Sequence, residues 1–506
     1  MFIIQWIIGF FRGIFNRHRA RRRTHELLAQ NQRARDVMLY YDSPVEAFYA
    51  LDMEGNIIVS GNNAALRNRV LTAAAYHRCQ RRIPVIILHC GNKALERLVA
   101  DAYERERAPH IINAEHPEYD PFTELRKEEI SQMVISSSGS DNKVERIGGL
   151  YINGLTDYLL ARGRRPMVRS YISCPHDAIL SRVMEHRADG SMSEADATRI
   201  SSEITQGKAE QGNVEQYFRV LDTQASCILA RKAEEAISIR KAIEEGKTIM
   251  LDIVSASNIL LINLLVQEIT DAMARGKRFL LAIDGIPVDA SEGLARLMKN
   301  YSNACNFVYS SSDFYADTQS TANTFETLLA KANMVYVMQH SAAQSGKKFS
   351  EYFGQYRPVE INTTYVSGTV YPTYGQLLPG TNSSDVQTTQ LTDRPRIEER
   401  DIAELAPDEM FIKRNSEHEI MRVRCTAGEA TGMYEAPRRR GRWPRLPAVG
   451  VNWALFVLLL LVPPAAFIYL FAVGGRVGKI VSAIVLVLML VGVIVSNVLS
   501  YIALSG

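Results

Sequence analysis

The sequence predicts an α/β fold: a parallel sheet with crossover helices, interrupted by an all-helical insertion and followed by a C-terminal helical hairpin. Three observations predict it. Short β-branched runs alternate with segments of helical periodicity, the pattern of strands joined by crossover helices. Between about Gly148 and Gly246 the β-branched runs stop, and charged helical stretches such as Arg231–Glu235 take over. Finally, Val451–Val473 and Ile480–Leu504 are almost wholly apolar. Each exceeds the roughly 20 residues that a helix needs to cross a bilayer.

In chain order, Ile57–Ser60 is a strand, followed through Gly61-Asn62-Asn63 by a helix with Leu66, Val70 and Ala74 on one face. Val85–His89 is the next strand, and Gly91-Asn92 opens a helix that turns Leu95, Leu98, Val99 and Tyr103 inward. Ile111-Ile112 is a short strand, and Ser136–Asn142 a Ser/Gly/Asp-rich loop before the insertion. Alternation then resumes: strand Thr248–Val254, helix Ile259–Met273, strand Arg278–Asp284, helix Ala290–Tyr301, and strands Asn306–Ser310 and Met334–Met338. Gly368–Asp393, rich in Gly, Pro, Thr and Ser, reads as a loop. The domain boundaries that follow are 1–30, an amphipathic and basic membrane-associated segment; 45–147, the first part of the α/β domain; 148–246, the insertion; 247–425, its second part; 426–450, a basic linker; and 451–505, two transmembrane helices.

The hairpin predicts a membrane protein. Arg438, Arg439, Arg440, Arg442 and Arg445 precede its first span, which by the positive-inside rule keeps the body in the cytoplasm, at the cytoplasmic membrane in a multi-pass topology. Phe2, Ile3, Trp6, Ile7, Phe10, Phe11 and Ile14 recur at helical spacing ahead of six arginines between Arg12 and Arg23, the pattern of an interfacial helix on anionic lipid. The net charge of +3 is therefore concentrated at the two ends. Six cysteines without a CxxC pair fit a reduced compartment and exclude a disulfide framework. The ten histidines show no metal-ligand spacing.

A strand, a turn containing glycine, a helix, and a later strand ending in Asp form the layout of P-loop nucleotide hydrolases. In that layout the backbone N–H groups of GxxxxGK[ST] cradle phosphates, the lysine neutralises them, and the hydroxyl holds magnesium. Here the segment is Gly61-Asn62-Asn63-Ala64-Ala65-Leu66-Arg67-Asn68. Leu66 stands at the second glycine, Arg67 at the lysine and Asn68 at the hydroxyl, a degenerate Walker A loop. Asp284 is placed to hold Mg²⁺ if a nucleotide binds, but Gly285 stands where such motors carry a catalytic glutamate. Gly61, Asn62, Asn63, Arg67 and Asn68 are the candidate phosphate-loop residues. They fit either a divergent ATP/Mg²⁺ pocket or a fold that has lost the site. Gly346-Lys347 lacks both the upstream glycine and the following hydroxyl, and reads as a plain helix start.

From about Val45 to Cys425 the order of these motifs resembles the type IV secretion coupling proteins, the TraG/TraD-like ATPases of conjugation. Gly61 and Asp284 match their first and second motifs in position, Tyr119-Asp120-Pro121-Phe122 looks like their segment after the third strand, and Arg394–Met410 resembles their C-terminal signature. The chain departs from the family at Ser311-Ser312-Asp313, where a glutamine is expected, and in the C-terminal place of its apolar segments. The resemblance implies a RecA-like P-loop NTPase-type sheet whose helical insertion receives substrate. It implies a component of conjugative or type IV secretion machinery; the degenerate motifs make it a pseudo-ATPase adaptor recruiting a DNA–protein or protein substrate. Expected partners are the lipid bilayer, secretion components, an active coupling ATPase paralogue, a relaxase–DNA substrate, and further copies of the chain in an oligomer. Two other readings are an active ATP-driven DNA translocase with divergent motifs, and a membrane scaffold that shares only the fold.

Overall fold

A computed structural model of the chain describes residues 22–35, 37–44, 55–103, 107–139, 143–301, 305–319, 323–370 and 380–426. They fall into two compact units. The smaller contains helix α1 (22–35) and an antiparallel hairpin, β9 (Val359–Val370) with β10 (Gly380–Leu391), in continuous register from Val359↔Leu391 to Val370↔Gly380. Within the expected loop over Gly368–Asp393, the hairpin corrects residues 368–370 and 380–391 to strand. Its Thr and Val residues are β-branched, and that backbone preference outweighs the polar composition.

The larger unit is a mixed α/β body on a ten-stranded sheet. Seven adjacent strands run parallel in the order β8-β2-β7-β6-β3-β5-β4: Met334–Val337, Ile57–Ser60, Asn306–Ser311, Leu280–Asp284, Val85–His89, Thr248–Asp252 and His110–Ile112. β11 (Glu409–Arg414) adds antiparallel to β8, β12 (Glu419–Thr426) antiparallel to β11, and β1 (Val37–Pro44) parallel to β12. These last three strands are not evident in the sequence pattern.

Residues alternate strictly between two cores. Ile57, Val59, Val85 and Ile87 pack on one face with Leu66, Val70 and Leu71 of α2 (Ala64–Gln80). Ile58, Ile86 and Leu88 pack on the other, with Leu261, Leu264 and Leu265 of α11 (Ile259–Ala274). Both faces are thus covered, which is why the central strands are unbroken apolar runs.

Between β4 and β5 the chain forms helices α4 (Lys127–Ser137), α5 (Gly148–Ala161), α6 (Val168–Ile172), α7 (Ile179–Ala188), α8 (Glu194–Gly207), α9 (Gln211–Ala225) and α10 (Ile239–Glu244). The entry and exit of this region are stitched together by backbone bonds: Tyr119 N–H donates to Ile228 O (3.0 Å) and Asp120 N–H to Ile237 O (3.0 Å). Asp120, fully buried, accepts from Phe122 and Val168 N–H, both at 2.9 Å. Phe122, Tyr171 and Phe218 fill the space behind it, with Tyr171 stacked on Phe218 at 4.9 Å.

The multi-pass localisation in the cytoplasmic membrane is corrected: among the described residues no helix is long and apolar enough to cross a membrane. The longest, α2 and α11, have 17 and 16 residues against the roughly 20 required. The segments at 1–21 and 451–505 lie outside the described residues.

Candidate functional site at the carboxyl ends of the parallel strands

In a parallel sheet, ligands bind beyond the carboxyl ends of the strands, where successive crossovers depart to opposite sides. β2 is such a strand: it lies between β8 and β7, while β3, next in sequence among the parallel strands, lies beyond β6. Gly61, Asn62 and Asn63 follow β2, and Asp284 ends β6.

The turn after β2 is short. Asn63 caps α2, its Oδ1 accepting from Leu66 N–H at 3.1 Å, so the helix has begun by Ala64. Leu66 therefore lies in the first helical turn and is buried in the core beside Val59 and Val70. Two further loop amides are engaged: Gly61 N–H donates to Ser311 O (3.1 Å) and Asn62 N–H to Gln339 O (3.0 Å). Gly61 has φ +142°, and a Cβ there would come within 2.5 Å of Met338 Cβ. Close passage of the two strand ends accounts for this glycine without any phosphate.

Arg67 does not point away from the loop. Its Nη1 donates to the Gly61 carbonyl. Burial pulls its pKa below the usual guanidinium range, while Asp284 and Asp317 pull the other way. The guanidinium is thus held on the loop carbonyl, and Asp284 and Asp317 act on it through their charge.

Asn68 and Asn92 form a reciprocal amide pair at 3.3 and 2.9 Å. Asn92 also donates to Asp284 Oδ2 at 2.7 Å, and Ser310 Oγ to Asp284 Oδ1 at 2.6 Å. Both oxygens of the expected magnesium ligand therefore accept from neutral side chains of the chain itself. Gly285, at φ +67°, continues the turn, with its N–H on Ser310 O (3.0 Å).

Sequence reasoning missed a second polar shell. Ser60 Oγ, fully buried, meets His340 Nε2 at 3.0 Å and accepts from Phe314 N–H at 3.0 Å. Burial lowers the His340 pKa, which keeps the ring neutral against the pull of Asp313. Asp313 accepts from Ser345 Oγ (2.6 Å), and Asp317 from Tyr309 (2.8 Å) and Ser311 hydroxyls. Burial raises the Asp317 pKa, and those two hydroxyls oppose it. The Ser60–His340, Ser60–Phe314 and Asp313–Ser345 pairings join residues distant in sequence, so no spacing announces them. Also missed was the meeting of His89, Glu96 and Asp252 at the ends of β3 and β5.

No family model matches the chain, and no curated protein matches it. Among solved structures, the unbound ΔN70 form of the bacterial conjugative coupling protein TrwB matches at a TM-score of 0.47. Its identity is 12%, over 75% of this chain and 86% of that one. Conjugative coupling proteins are what this chain is similar to. TrwB in complex with ADP and Mg²⁺ matches at 0.45 with 13% identity, over 74% and 86%. TrwB with a non-hydrolysable ATP analogue matches at 0.44 with 14% identity, over 74% and 86%. The resemblance read from the sequence motifs is to the same family.

Proposed function

We propose that this chain is a coupling-protein-like component of conjugative or type IV secretion machinery that works without hydrolysing ATP. It acts as an adaptor that recruits a DNA–protein or protein substrate, beside an active coupling ATPase. The helical region 148–246 is the proposed receptor for that substrate, carried on a RecA-like sheet at 45–147 and 247–425. The order of the sequence motifs supports the family. The absence of turnover rests on one observation: α2 begins at Ala64, with Asn63 as its cap and Leu66 in the core.

A loop that cradles phosphate must leave consecutive N–H groups free and allow backbone to approach the ligand. Here the Gly61 and Asn62 amides serve the strand ends, and Arg67 is turned onto the Gly61 carbonyl. A guanidinium is also planar and bulky where a compact ammonium would reach two phosphate oxygens. Asn68 offers no hydroxyl, and Gly285 no group to polarise water. Each loss removes transition-state stabilisation on the order of 10²-fold in rate.

The test is turnover of Mg-ATP by the purified chain, with and without DNA, beside an Asp284→Ala control. The expected result is no hydrolysis above the control. Turnover near ~1 s⁻¹, the lower range for kinases, that Asp284→Ala abolishes would replace the adaptor with an active DNA translocase.

A further inference from the structure

We propose that His89, Glu96 and Asp252 bind one divalent transition-metal ion, with Zn²⁺ the best match to the donor set. β3 and β5 are parallel neighbours in a register that sets His89 opposite Asp252. Glu96 lies in the first turn of α3 (Lys93–Ala102), which follows β3 directly. One donor atom from each residue lies within 4.8 Å of the other two, and all three residues are buried. His89 Nε2 is 3.6 Å from Glu96 Oε1, and Nδ1 is 4.0 Å from Asp252 Oδ1. Donors bound at about 2.0–2.2 Å around tetrahedral zinc lie about 3.3 Å apart, so Nε2 and Glu96 need only a small contraction, while Asp252, whose Oδ1 is on the Nδ1 side of the ring, must draw in further.

The observation that points to a ligand is His89 itself. The residue has 0% exposure, yet Nε2 has no hydrogen-bond partner. A buried polar atom left unpaired is costly and calls for an explanation. Burial lowers the imidazole pKa, while Asp252 and Glu96 pull it the other way.

The carboxylates are fixed as metal ligands are fixed by outer partners. Asp252 Oδ1 accepts from Gly91 N–H (2.8 Å) and Val254 N–H (2.9 Å), and Glu96 Oε2 accepts from Asn113 (3.0 Å). Lys93 Nζ, half-exposed, sits 3.1 Å from Glu96 Oε1, a cation that an incoming ion replaces. An open groove of about 510 Å³, lined by Lys93, Glu96, Asn113 and His116, gives the ion a path. A metal on Nε2 takes the ring with its proton on Nδ1. The 3.2 Å contact from Asn92 N–H to Nδ1 is then given up. Asn92 also bonds Asp284, so the ion would bear on the strand end where the candidate nucleotide site lies.

The test is titration of the chelator-treated full chain with Co²⁺, read by visible absorption, followed by displacement with Zn²⁺. One equivalent is expected to bind, and His89→Gln and Glu96→Gln should each weaken it by about 100-fold or more, beyond what loss of an outer partner costs. No binding, or affinity unchanged in both variants, overturns the site. X-ray absorption at the zinc edge of the wild-type chain decides the matter even if a variant fails to fold. One imidazole with oxygen donors supports the proposal; two or more imidazoles would place the ion on the half-buried His110 and the exposed His116 and overturn it.

Discussion

Gly207→Ala is expected to destabilise the protein by about 3 kcal/mol, the upper range for overpacking. Gly207 ends α8 where that helix crosses α5, and an added Cβ would come within 2.3 Å of Tyr151 N and 2.8 Å of Tyr151 Cα. Those are backbone atoms, so no side-chain rotation relieves the clash and the helices must separate. Gly154, on α5, faces Ile204 in the same way, with a built Cβ 2.7 Å from Ile204 Cγ1. The two glycines set the closeness of the pair, and Ile152, Leu155 and Ile200 lose packing if it opens. The backbone at Gly207 has φ −88°, so the effect is steric and owes nothing to a left-handed conformation. Chemical denaturation checks it against Gly212→Ala, where a Cβ meets nothing within 4 Å. That control should stay within ~1 kcal/mol of wild type, the scale of helix propensity alone.

Glu268→Gln is expected to remove part of a pH dependence built into the seam between sheet and helices. Glu268 is fully buried, accepting from Tyr119 Oη (2.9 Å) and Arg240 N–H (3.0 Å). Burial pushes its pKa up to about 7, against those hydrogen bonds and the Arg240 charge. Asp120, on the same seam, is raised by burial to about 7 as well. Both folded-state values exceed the ordinary carboxyl range of about 4. Between pH 4 and 7 the folded state therefore binds more protons than the unfolded one, and the contribution of these groups falls as pH rises. It is complete below about pH 4 and lost as the pH passes through 7. Glutamine carries no proton to lose, so the variant should gain on wild type by on the order of 3 kcal/mol between pH 4.5 and 8. Urea denaturation across that range checks it; a constant difference between the two proteins would contradict the assignment.

How much of this was legible in the sequence depends on the range of the interaction. β2, β3, β5 and β6 announced themselves because a strand covered on both faces must be apolar at every position, and Ile57–Val59 or Val85–Leu88 admit no other reading. The strand Gly380–Leu391 was misread as part of a loop because Thr, Ser and Asn give a strand the composition of a loop. Of the candidate site, the engagement of the loop amides by the Ser311 and Gln339 carbonyls was not legible, whereas the helix opening after Asn63, with Leu66 on its face, was. The signal for it was present: Asn63 followed three residues later by Leu66 is a helix cap opening an apolar face. The Asn68–Asn92–Asp284 chain and the His89–Glu96–Asp252 group depend on β3, β5 and β6 lying side by side, and strand order is not written in local periodicity.

The central claim, that this loop makes no phosphate cradle, is tested most directly by calorimetric titration of the purified chain with Mg-ATP. With Arg67 on the Gly61 carbonyl and both Asp284 oxygens engaged by Ser310 and Asn92, binding should be weaker than ~1 mM, about 4 kcal/mol of affinity at most. A dissociation constant of ~10 μM or tighter, weakened at least tenfold by Asp284→Ala, would contradict it.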